Sequence, residues 1–180
     1  EQPAGLTPPE KPISLPPGFS INVFAQGLSG PRMLAIGPDG HLYVAERGAN
    51  RLLRLIDEDG NGEADLQQIA GRGLQRPNSL AFYQDGSLYV GEIRRVVRLS
   101  QPDEQGEFQQ TEVIIDGLPA EGHTTRTVLF SPDYKTLYLA VGSSCNVCME
   151  QDPRRAAITR YQPDGSQEQL FATGLRNAVG

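Results

Sequence analysis

The sequence predicts an all-β protein that forms about three four-stranded blades of a β-propeller. Related segments begin at Gly27, Gly73 and Gly117, which are 46 and 44 residues apart, and repeats of this length are typical of propeller blades. Within each repeat, short apolar runs are separated by Gly-containing turns, as expected for antiparallel strands. No segment carries a sustained helical period, so we expect almost no helix.

The first repeat shows how four strands fit into one unit. Its apolar runs are Met33–Ile36, Leu42–Ala45, Leu52–Leu55 and Leu66–Ala70. Pro-Asp-Gly at 38–40 and Gln-Asp-Gly at 84–86 follow the first run of their repeats. An Asp-Gly pair favours a tight hairpin, because Asp bonds its own backbone and Gly tolerates a positive φ. Each repeat is therefore interpreted as one antiparallel blade.

The two ends of the chain predict an incomplete ring. Residues 1–18 contain six prolines and are interpreted as an extended linker, which leaves residues 19–180 as the propeller part. The run Ser20–Ala25 matches the outermost strand of a blade, the place held later by Thr111–Ile115 and Glu168–Ala172. A fourth repeat starts at Gly174. Since a ring needs about four to eight blades, we expect the first half of one, with closure by a second copy as the alternative.

Composition excludes two classes of partner. The net charge of −6 offers no basic field for a nucleic-acid backbone. No apolar run approaches the roughly 20 residues of a membrane-spanning helix. We therefore expect neither nucleic-acid binding nor a membrane span.

Cys145 and Cys148 form a lone Cys-Asn-Val-Cys segment. One pair cannot supply four thiolates to zinc, and no strand-then-helix context supports a thioredoxin-type motif. We interpret the pair as a local disulfide, with two free thiols as the alternative.

Polar residues recur where the first strand of each repeat begins. Aligning the repeats on Leu-Ala-Ile, Leu-Ala-Phe and Val-Leu-Phe places Arg32, Asn78 and Arg126 at one position, and the fourth repeat adds Asn177 with Arg176 before it. The first strand of a propeller blade lines the central channel, so these side chains would form a ring of donors suited to an anion or a carbonyl. The alternative is that they only satisfy nearby loop carbonyls.

His123 lies three residues before Arg126, in a loop that is longer than its counterparts. A neutral imidazole at the channel mouth is a proton acceptor, so we interpret His123 as a general base. The alternative is a hydrogen-bonding residue of a surface loop. His41 takes the place of Ser87 after a turn, and we interpret it as exposed and without a role.

The segment from Asp57 to Asp65 has the beginning of a calcium-loop pattern. Oxygen-bearing side chains alternate along it, at Asp57, Asp59, Asn61 and Asp65. The sixth position is Gly62, but the twelfth is Gln68, so the bidentate carboxylate of such loops is lacking. A structural calcium site and a polar hairpin both explain the pattern.

The chain resembles the pyrroloquinoline-quinone-dependent sugar dehydrogenases, in particular their sorbosone dehydrogenase-like branch. The resemblance covers nearly everything after the linker, and the Cys-containing loop and the Arg-Asn segment are its most specific parts. It rests on the segments Leu15–Phe19, Pro77–Phe82, Val141–Cys148, Asp152–Arg154 and Gly174–Gly180.

The resemblance implies a six-bladed propeller that holds pyrroloquinoline quinone in its channel mouth. By the same resemblance, His123 removes the proton of a sugar hydroxyl, and Arg176 and Asn177 hold the cofactor. Arg126 stands where relatives often have lysine. The family's calcium ion bridges protein and quinone and is bound largely by residues that follow the Arg-Asn segment, so we expect this chain alone not to turn over.

The leading hypothesis is a periplasmic or secreted quinoprotein that oxidises an aldose or sorbosone-type sugar, with an electron acceptor that the sequence does not identify. One departure concerns Thr124 and Thr125, which follow His123 where relatives have a second histidine and aromatic residues, so the substrate pocket is expected to differ. A calcium-dependent lactonase-like hydrolase, with carboxylates reaching the channel, is one alternative. A non-catalytic binding propeller, with His123 pointing away from the axis, is the other.

Overall fold

A computed structural model of the protein describes residues 13–179. Within this range the chain forms twelve strands and no helix, so the all-β prediction is confirmed. In chain order the strands are β1 (Pro31–Ile36), β2 (Leu42–Glu46), β3 (Arg51–Ile56), β4 (Leu66–Gly71), β5 (Ser79–Phe82), β6 (Leu88–Gly91), β7 (Val96–Pro102), β8 (Phe108–Ile115), β9 (Arg126–Phe130), β10 (Leu137–Val141), β11 (Ala157–Tyr161) and β12 (Gln169–Ala172). Over the same residues, no helix is long and apolar enough to cross a membrane.

The strands form three antiparallel sheets, each ordered as in the chain: β1 to β4 (blade 1), β5 to β8 (blade 2) and β9 to β12 (blade 3). Leu42, Leu88 and Leu137 hold the same place in the second strand, each opposite an apolar residue of the first strand. This register defines equivalent positions in the three blades.

The inner strands of successive blades lie side by side. The N–H of Met33 on β1 donates to the carbonyl of Asn78 at 3.1 Å. The Ser79 hydroxyl on β5 donates to the carbonyl of Arg126 at 2.6 Å and accepts the N–H of Val128 at 2.9 Å. The blades therefore fan out from a line of inner strands, as in a propeller.

Two apolar clusters fill the spaces between blades. One includes Leu52 and Val97 between blades 1 and 2, and the other includes Tyr89 and Leu139 between blades 2 and 3. Burying each such side chain contributes about 1.5–3 kcal/mol. The three sheets do not close into a ring, and Leu34 on β1 and Leu129 on β9 are 56% and 58% exposed at the two open faces.

One predicted strand is wrong. Residues 20–25 form no strand, because no described strand lies alongside them to complete a ladder. Instead the carbonyl of Phe24 accepts one N–H, from Ala64 at 2.8 Å, and the Phe24 ring packs on the apolar cluster of Val44 and Leu53. Of the predicted linker, residues 1–12 lie outside the described residues, and residues 13–18 are exposed and form no strand.

The blades have two distinct ends. The mouth end carries the connection from the second to the third strand of each blade and the connection from one blade to the next, which include residues 47–50, 72–78, 116–125 and 142–156. The turn end carries the hairpins that follow the first and third strands. There, Asp39 pairs with Arg54 at 2.7 Å in blade 1, and Asp85 pairs with Arg98 at 2.6 Å in blade 2. All the residues predicted for the channel lie at the mouth end.

Candidate active site

A buried carboxylate ties the mouth end of blade 1 together. Glu46 ends β2 with no exposed surface. Its Oε1 accepts the N–H of Ser29 at 2.6 Å, and its Oε2 accepts the Nε–H of Arg51. We call this arrangement the clamp, because it joins three separate segments.

Blade 2 repeats the clamp. Glu92, also without exposed surface, accepts the N–H of Gln75 at 2.6 Å and the Nε–H of Arg95. Removing one partner of such a buried pair costs about 3–5 kcal/mol, because the other charge is left uncompensated. Sequence reasoning missed the clamp, although Glu follows Leu-Tyr-Val-Ala and Leu-Tyr-Val-Gly at the same register.

Blade 3 has no clamp. The register puts Val141 and Ala157 opposite each other, at the positions of the clamp's carboxylate and guanidinium. The residue equivalent to Ser29 is Pro119, which has no N–H to donate. Donor, acceptor and cation have therefore all been replaced, and no polar group of the clamp is left unpaired.

Arg126 holds the long loop of blade 3 in place of the clamp. Its side chain is completely buried at the head of β9. Nη1 donates to the carbonyls of Thr125 at 2.6 Å and His123 at 3.2 Å, and Nη2 donates to the carbonyl of Pro119. Burial lowers the pKa of Arg126 to about 10, and the charges of Arg155 and Arg47 act in the same direction. The guanidinium predicted to contact a cofactor is thus turned into its own loop.

His123 is fixed by its backbone, while its imidazole stays unpaired within the residues that the structure describes. Its N–H donates to the carbonyl of Ser143 at 2.9 Å. A Cβ added at Gly142 would lie 2.6 Å from the Cβ of His123 and 2.7 Å from Oδ1 of Asn177, so this glycine makes room for both residues. The half-buried imidazole makes no hydrogen bond to any residue between 13 and 179. It can therefore accept a proton from a ligand.

Asn177 and Arg176 lie against the same loop. The Thr125 hydroxyl donates to Oδ1 of Asn177, and the carbonyl of Arg176 accepts the N–H of Ser143 at 2.8 Å. The guanidinium of Arg176 is exposed and donates to Oδ1 of Asn146 at 2.5 Å. The structure thus brings His123, Asn177 and Arg176 together around residues 142–143.

The contact of Arg176 belongs to a loop closed by a disulfide. Cys145 and Cys148 are joined by an S–S bond of 2.04 Å. The hydroxyl of Ser143 donates to the carbonyl of Cys145 at 2.7 Å, which ties the loop to the residue that holds His123.

The two remaining residues of the predicted ring, Asn78 and Arg32, lie in different surroundings. Asn78 is 1% exposed and donates from Nδ2 to the carbonyl of Arg126 at 3.4 Å, while its Oδ1 has no partner among the described residues. Arg32 is exposed and lies in a separate cavity with Arg47 and Arg76. Arg47 was missed by sequence reasoning, although it directly follows the clamp residue Glu46.

The acidic loop lies at the turn end, away from His123. Carboxylate oxygens of Asp57, Asp59 and Asp65 lie within 4.8 Å of one another. All three carboxylates accept N–H groups of the loop itself: Asp57 from Gly60 at 2.8 Å and from Gly62 at 2.9 Å, Asp59 from Asn61 at 3.1 Å, and Asp65 from Glu58 at 2.8 Å. Asn61 likewise accepts the N–H of Glu63 at 2.8 Å. A polar hairpin thus accounts for these contacts, and calcium binding stays a prediction.

Comparison with known proteins agrees with the propeller fold. A family model described as TrAA12-like matches residues 13–180. No curated protein sequence matches the chain. The holo form of the pyranose dehydrogenase PQQ domain from Coprinopsis cinerea has a TM-score of 0.78 and 24% identity, over 87% of this chain and 42% of that chain.

Two further solved structures are similar. The calcium structure of Trichoderma reesei Carbohydrate-Active Enzymes Family AA12 has a TM-score of 0.74 and 21% identity, over 87% of this chain and 44% of that chain. The PQQ-bound aldose sugar dehydrogenase from Streptomyces coelicolor has a TM-score of 0.68 and 23% identity, over 87% of this chain and 54% of that chain. The chain spans about half the length of these proteins. At such identities the likeness shows the fold, and the sorbosone-type branch stays a prediction.

Proposed function

The chain belongs to the TrAA12-like family, and on that premise we propose that it serves a quinoprotein dehydrogenase that oxidises an aldose or sorbosone-type sugar. The observation that carries the proposal is the imidazole of His123, which has no hydrogen-bond partner in the described part of the chain and is held by its backbone beside Asn177 and Arg176. A base next to an amide and a guanidinium suits the oxidation of an alcohol beside an anionic cofactor.

The donor set at the mouth fits pyrroloquinoline quinone, a planar molecule with three carboxylates and two quinone oxygens. Arg176 offers an exposed guanidinium and Asn177 an amide to these oxygens, and the buried Oδ1 of Asn78, which lacks a donor among the described residues, is an acceptor for the pyrrole N–H of the quinone. We propose that these three residues contact the quinone. Arg126 acts on it indirectly, because its guanidinium is occupied by three carbonyls of the His123 loop.

Pyrroloquinoline quinone, when bound, supplies the electrophilic carbon that takes a hydride from the sugar. The imidazole of His123 takes the proton of the hydroxyl on that same sugar carbon, so that proton and hydride leave together as a carbonyl forms. Ser143 and Gly142 hold His123 in position. The positive field of Arg176 and the buried Arg126 stabilises negative charge that develops near the mouth.

Within residues 13–179, we propose that calcium binds as a structural ion, apart from the calcium that the family resemblance places next to the quinone. The clamp carboxylates Glu46 and Glu92 are engaged by arginines, so they do not offer a calcium site at the mouth. The acidic loop of Asp57, Asp59, Asn61 and Asp65 is our candidate, and it is remote from the chemistry.

The alternatives receive less support from the geometry. A lactonase-like hydrolase predicts carboxylates that reach the channel, whereas Glu46 and Glu92 are buried in clamps. A non-catalytic propeller predicts no free base at the mouth.

We also propose that further blades, on the same protein or a second copy, cover the open faces that expose Leu34 and Leu129. The disulfide between Cys145 and Cys148 supports a periplasmic or secreted location, since such bonds persist in oxidising compartments.

The test is reconstitution of the complete protein, with all the blades of its propeller, with pyrroloquinoline quinone and calcium, followed by sugar-dependent reduction of a dye. We expect aldoses to reduce the dye, and we expect replacement of His123 to abolish the reaction while the quinone stays bound. Bound quinone with no sugar-dependent reduction would overturn the proposal.

A further inference from the structure

A second candidate site, shallow and open, lies at the mouth end between blades 1 and 2. Its volume is about 580 Å³, and its wall includes Arg32, Arg47, Arg76 and Asn50. We call it the arginine cavity. It is distinct from the group around residues 142–143, although one contact joins the two.

The arginine cavity concentrates positive charge without a counter-charge. No carboxylate lines it, and none of its three arginines forms a salt bridge with a carboxylate of residues 13–179. Arg51, which begins the next strand, shows the contrast, because it is neutralised by Glu46. Burial lowers the pKa of Arg47, and the charges of Arg76 and Arg32 lower it further. These guanidiniums are therefore close enough to repel one another, and an anion between them would relieve the repulsion.

Unused hydrogen-bonding capacity points the same way. The Nε of Arg47 is buried and has no partner within the described part of the chain. A guanidinium offers five N–H donors in a planar fork that matches a carboxylate or a phosphate. The cavity thus has both the charge and the donors for an oxyanion.

The backbone of the cavity wall is held in an unusual conformation. Asn50 and Arg76 both have left-handed φ values, 53° and 51°, and the N–H of Arg76 donates to Oδ1 of Asn50 at 2.9 Å. Arginine rarely adopts this conformation, and such residues persist where the surroundings fix them, often at ligand sites.

One contact connects the arginine cavity with the base. Nη2 of Arg47 donates to the hydroxyl of Thr124 at 2.5 Å, and Thr124 is the residue after His123. An anion held by Arg47 would therefore lie next to the loop that presents the imidazole.

We propose that the arginine cavity binds an anionic group of the substrate, so that the enzyme prefers acidic sugars, either uronates or sugar phosphates. This inference rests on the proposed function and deepens it by naming the substrate class. It assigns Arg32, Arg47 and Arg76 to the substrate rather than to the quinone.

The test compares three sugars by titration calorimetry on protein loaded with pyrroloquinoline quinone: D-glucuronate, D-glucose 6-phosphate and D-glucose. We expect at least one of the two acidic sugars to bind at least tenfold more tightly than glucose, and we expect this preference to shrink as salt is raised. Tighter binding of glucuronate would identify the anion as a carboxylate, and tighter binding of glucose 6-phosphate would identify it as a phosphate. Glucose binding as tight as that of both acidic sugars would overturn the inference.

Substitutions in the arginine cavity test whether its guanidiniums cause this preference. The double variant Arg47→Gln/Arg76→Gln is expected to lose the preference for the acidic sugar. Arg160→Gln is the matched control, since it removes one positive charge at the turn end, where the guanidinium contacts only the neutral Gln169. If the double variant fails to fold by circular dichroism, Arg47→Lys replaces it, and this variant is expected to keep the charge but lose at least threefold in the preference.

Quinone retention separates this inference from the proposed function. Quinone lost from the double variant but kept by Arg160→Gln would mean that the cavity binds the cofactor, and the substrate assignment would be wrong. Wild-type protein that oxidises glucose through His123 without preferring acidic sugars would overturn the subsite and leave the proposed function standing. Wild-type protein that retains no quinone would overturn the proposed function, and the subsite with it.

Discussion

Blades 1 and 2 close their mouth ends with a buried Glu–Arg clamp, and blade 3 does not. In the first two blades the carboxylates of Glu46 and Glu92 each take one backbone N–H and one guanidinium. In blade 3 the same positions are Val141 and Ala157, and the backbone donor is replaced by Pro119. The blade that carries His123 is therefore the one in which the clamp has been exchanged for apolar residues.

If His123 is the base, the exchange lets two copies of the repeat stabilise the fold while the third presents the imidazole. A clamp in blade 3 would put a carboxylate beside His123, where it would pair with the imidazole or with the guanidinium of Arg126. Without it, Arg126 turns to loop carbonyls, and Gly142 leaves space for His123 and Asn177. On the proposed function, the general base is thus carried by the blade that lacks the clamp.

The largest expected effect concerns the two histidines. His123→Gln should lower the sugar-dependent turnover number by about 10²- to 10⁴-fold, because the general base is lost. His41→Gln, at the turn end, is the matched control and should change turnover less than twofold. Dye-reduction kinetics on quinone-loaded protein measure both, and equal activity of the two variants would show that His123 is not the base.

The clamp itself can be broken in blade 2. Glu92→Val should lower the free energy of unfolding by about 3–5 kcal/mol, because the charge of Arg95 and the N–H of Gln75 lose their partner. The double variant Glu92→Val/Arg95→Ala reproduces Val141 and Ala157 of blade 3, leaving only the N–H of Gln75 without its partner, and should be less destabilised than the single variant. Urea denaturation gives both values, and a single variant that costs under about 1 kcal/mol would contradict the role of the clamp.

A substitution at Gly142 tests whether His123 and Asn177 need the room that a glycine leaves. Gly142→Ala should push on His123 and Asn177, lowering stability by about 1–3 kcal/mol and reducing turnover at the same time. Ile93→Ala changes the equivalent position of blade 2, and we expect no loss of turnover there. Dye-reduction kinetics and urea denaturation of the two variants measure these effects. If Gly142→Ala were as active as wild type, Gly142 would not be needed to make room for His123 and Asn177.

The smallest expected effect is on acid stability and concerns the Asp–Arg pair that blades 1 and 2 each have at the turn end. Although burial alone would raise the pKa of Asp39, the N–H of His41, the Tyr43 hydroxyl and Arg54 together lower it. Since the folded-state pKa lies below the unfolded value, the stabilisation is complete above the unfolded pKa and is lost as the pH falls through the folded one.

Asp39→Asn should therefore flatten the decline of the melting temperature between pH 5 and about pH 3. The matched control is Asp116→Asn, whose carboxylate accepts only the N–H of the next residue. If the melting temperature fell as steeply with pH in Asp39→Asn as in wild type, Asp39 would not contribute to the loss of stability in acid.

Sequence patterns predicted the strands of all three blades because ladders and turns depend on local alternation. The β1, β2, β3 and β4 predictions were each within two residues at either end. Ser20–Ala25 failed because a strand also needs a neighbour, which its own residues do not reveal. The position of Arg126 was predicted, but the direction of its side chain depends on how the long loop packs.

The clamp and the arginine cavity escaped prediction for a related reason. Glu46 and Ser29 are 17 residues apart, and Arg47 meets Thr124 across 77 residues. Taken alone, Glu46 and Arg47 are ordinary charged residues at the end of a strand, and Ser29 and Thr124 are ordinary loop residues. Only the packing of blades shows which charges are paired and which are left for a ligand.

A crystal structure of the protein with pyrroloquinoline quinone tests the central claim most directly. We expect the quinone at the mouth end, within hydrogen-bonding distance of Arg176 and Asn177, with the His123 imidazole facing the space beside it and both clamps intact. Quinone bound at the turn end, or at the mouth with His123 turned away from it, would contradict the division of labour between the clamped blades and blade 3.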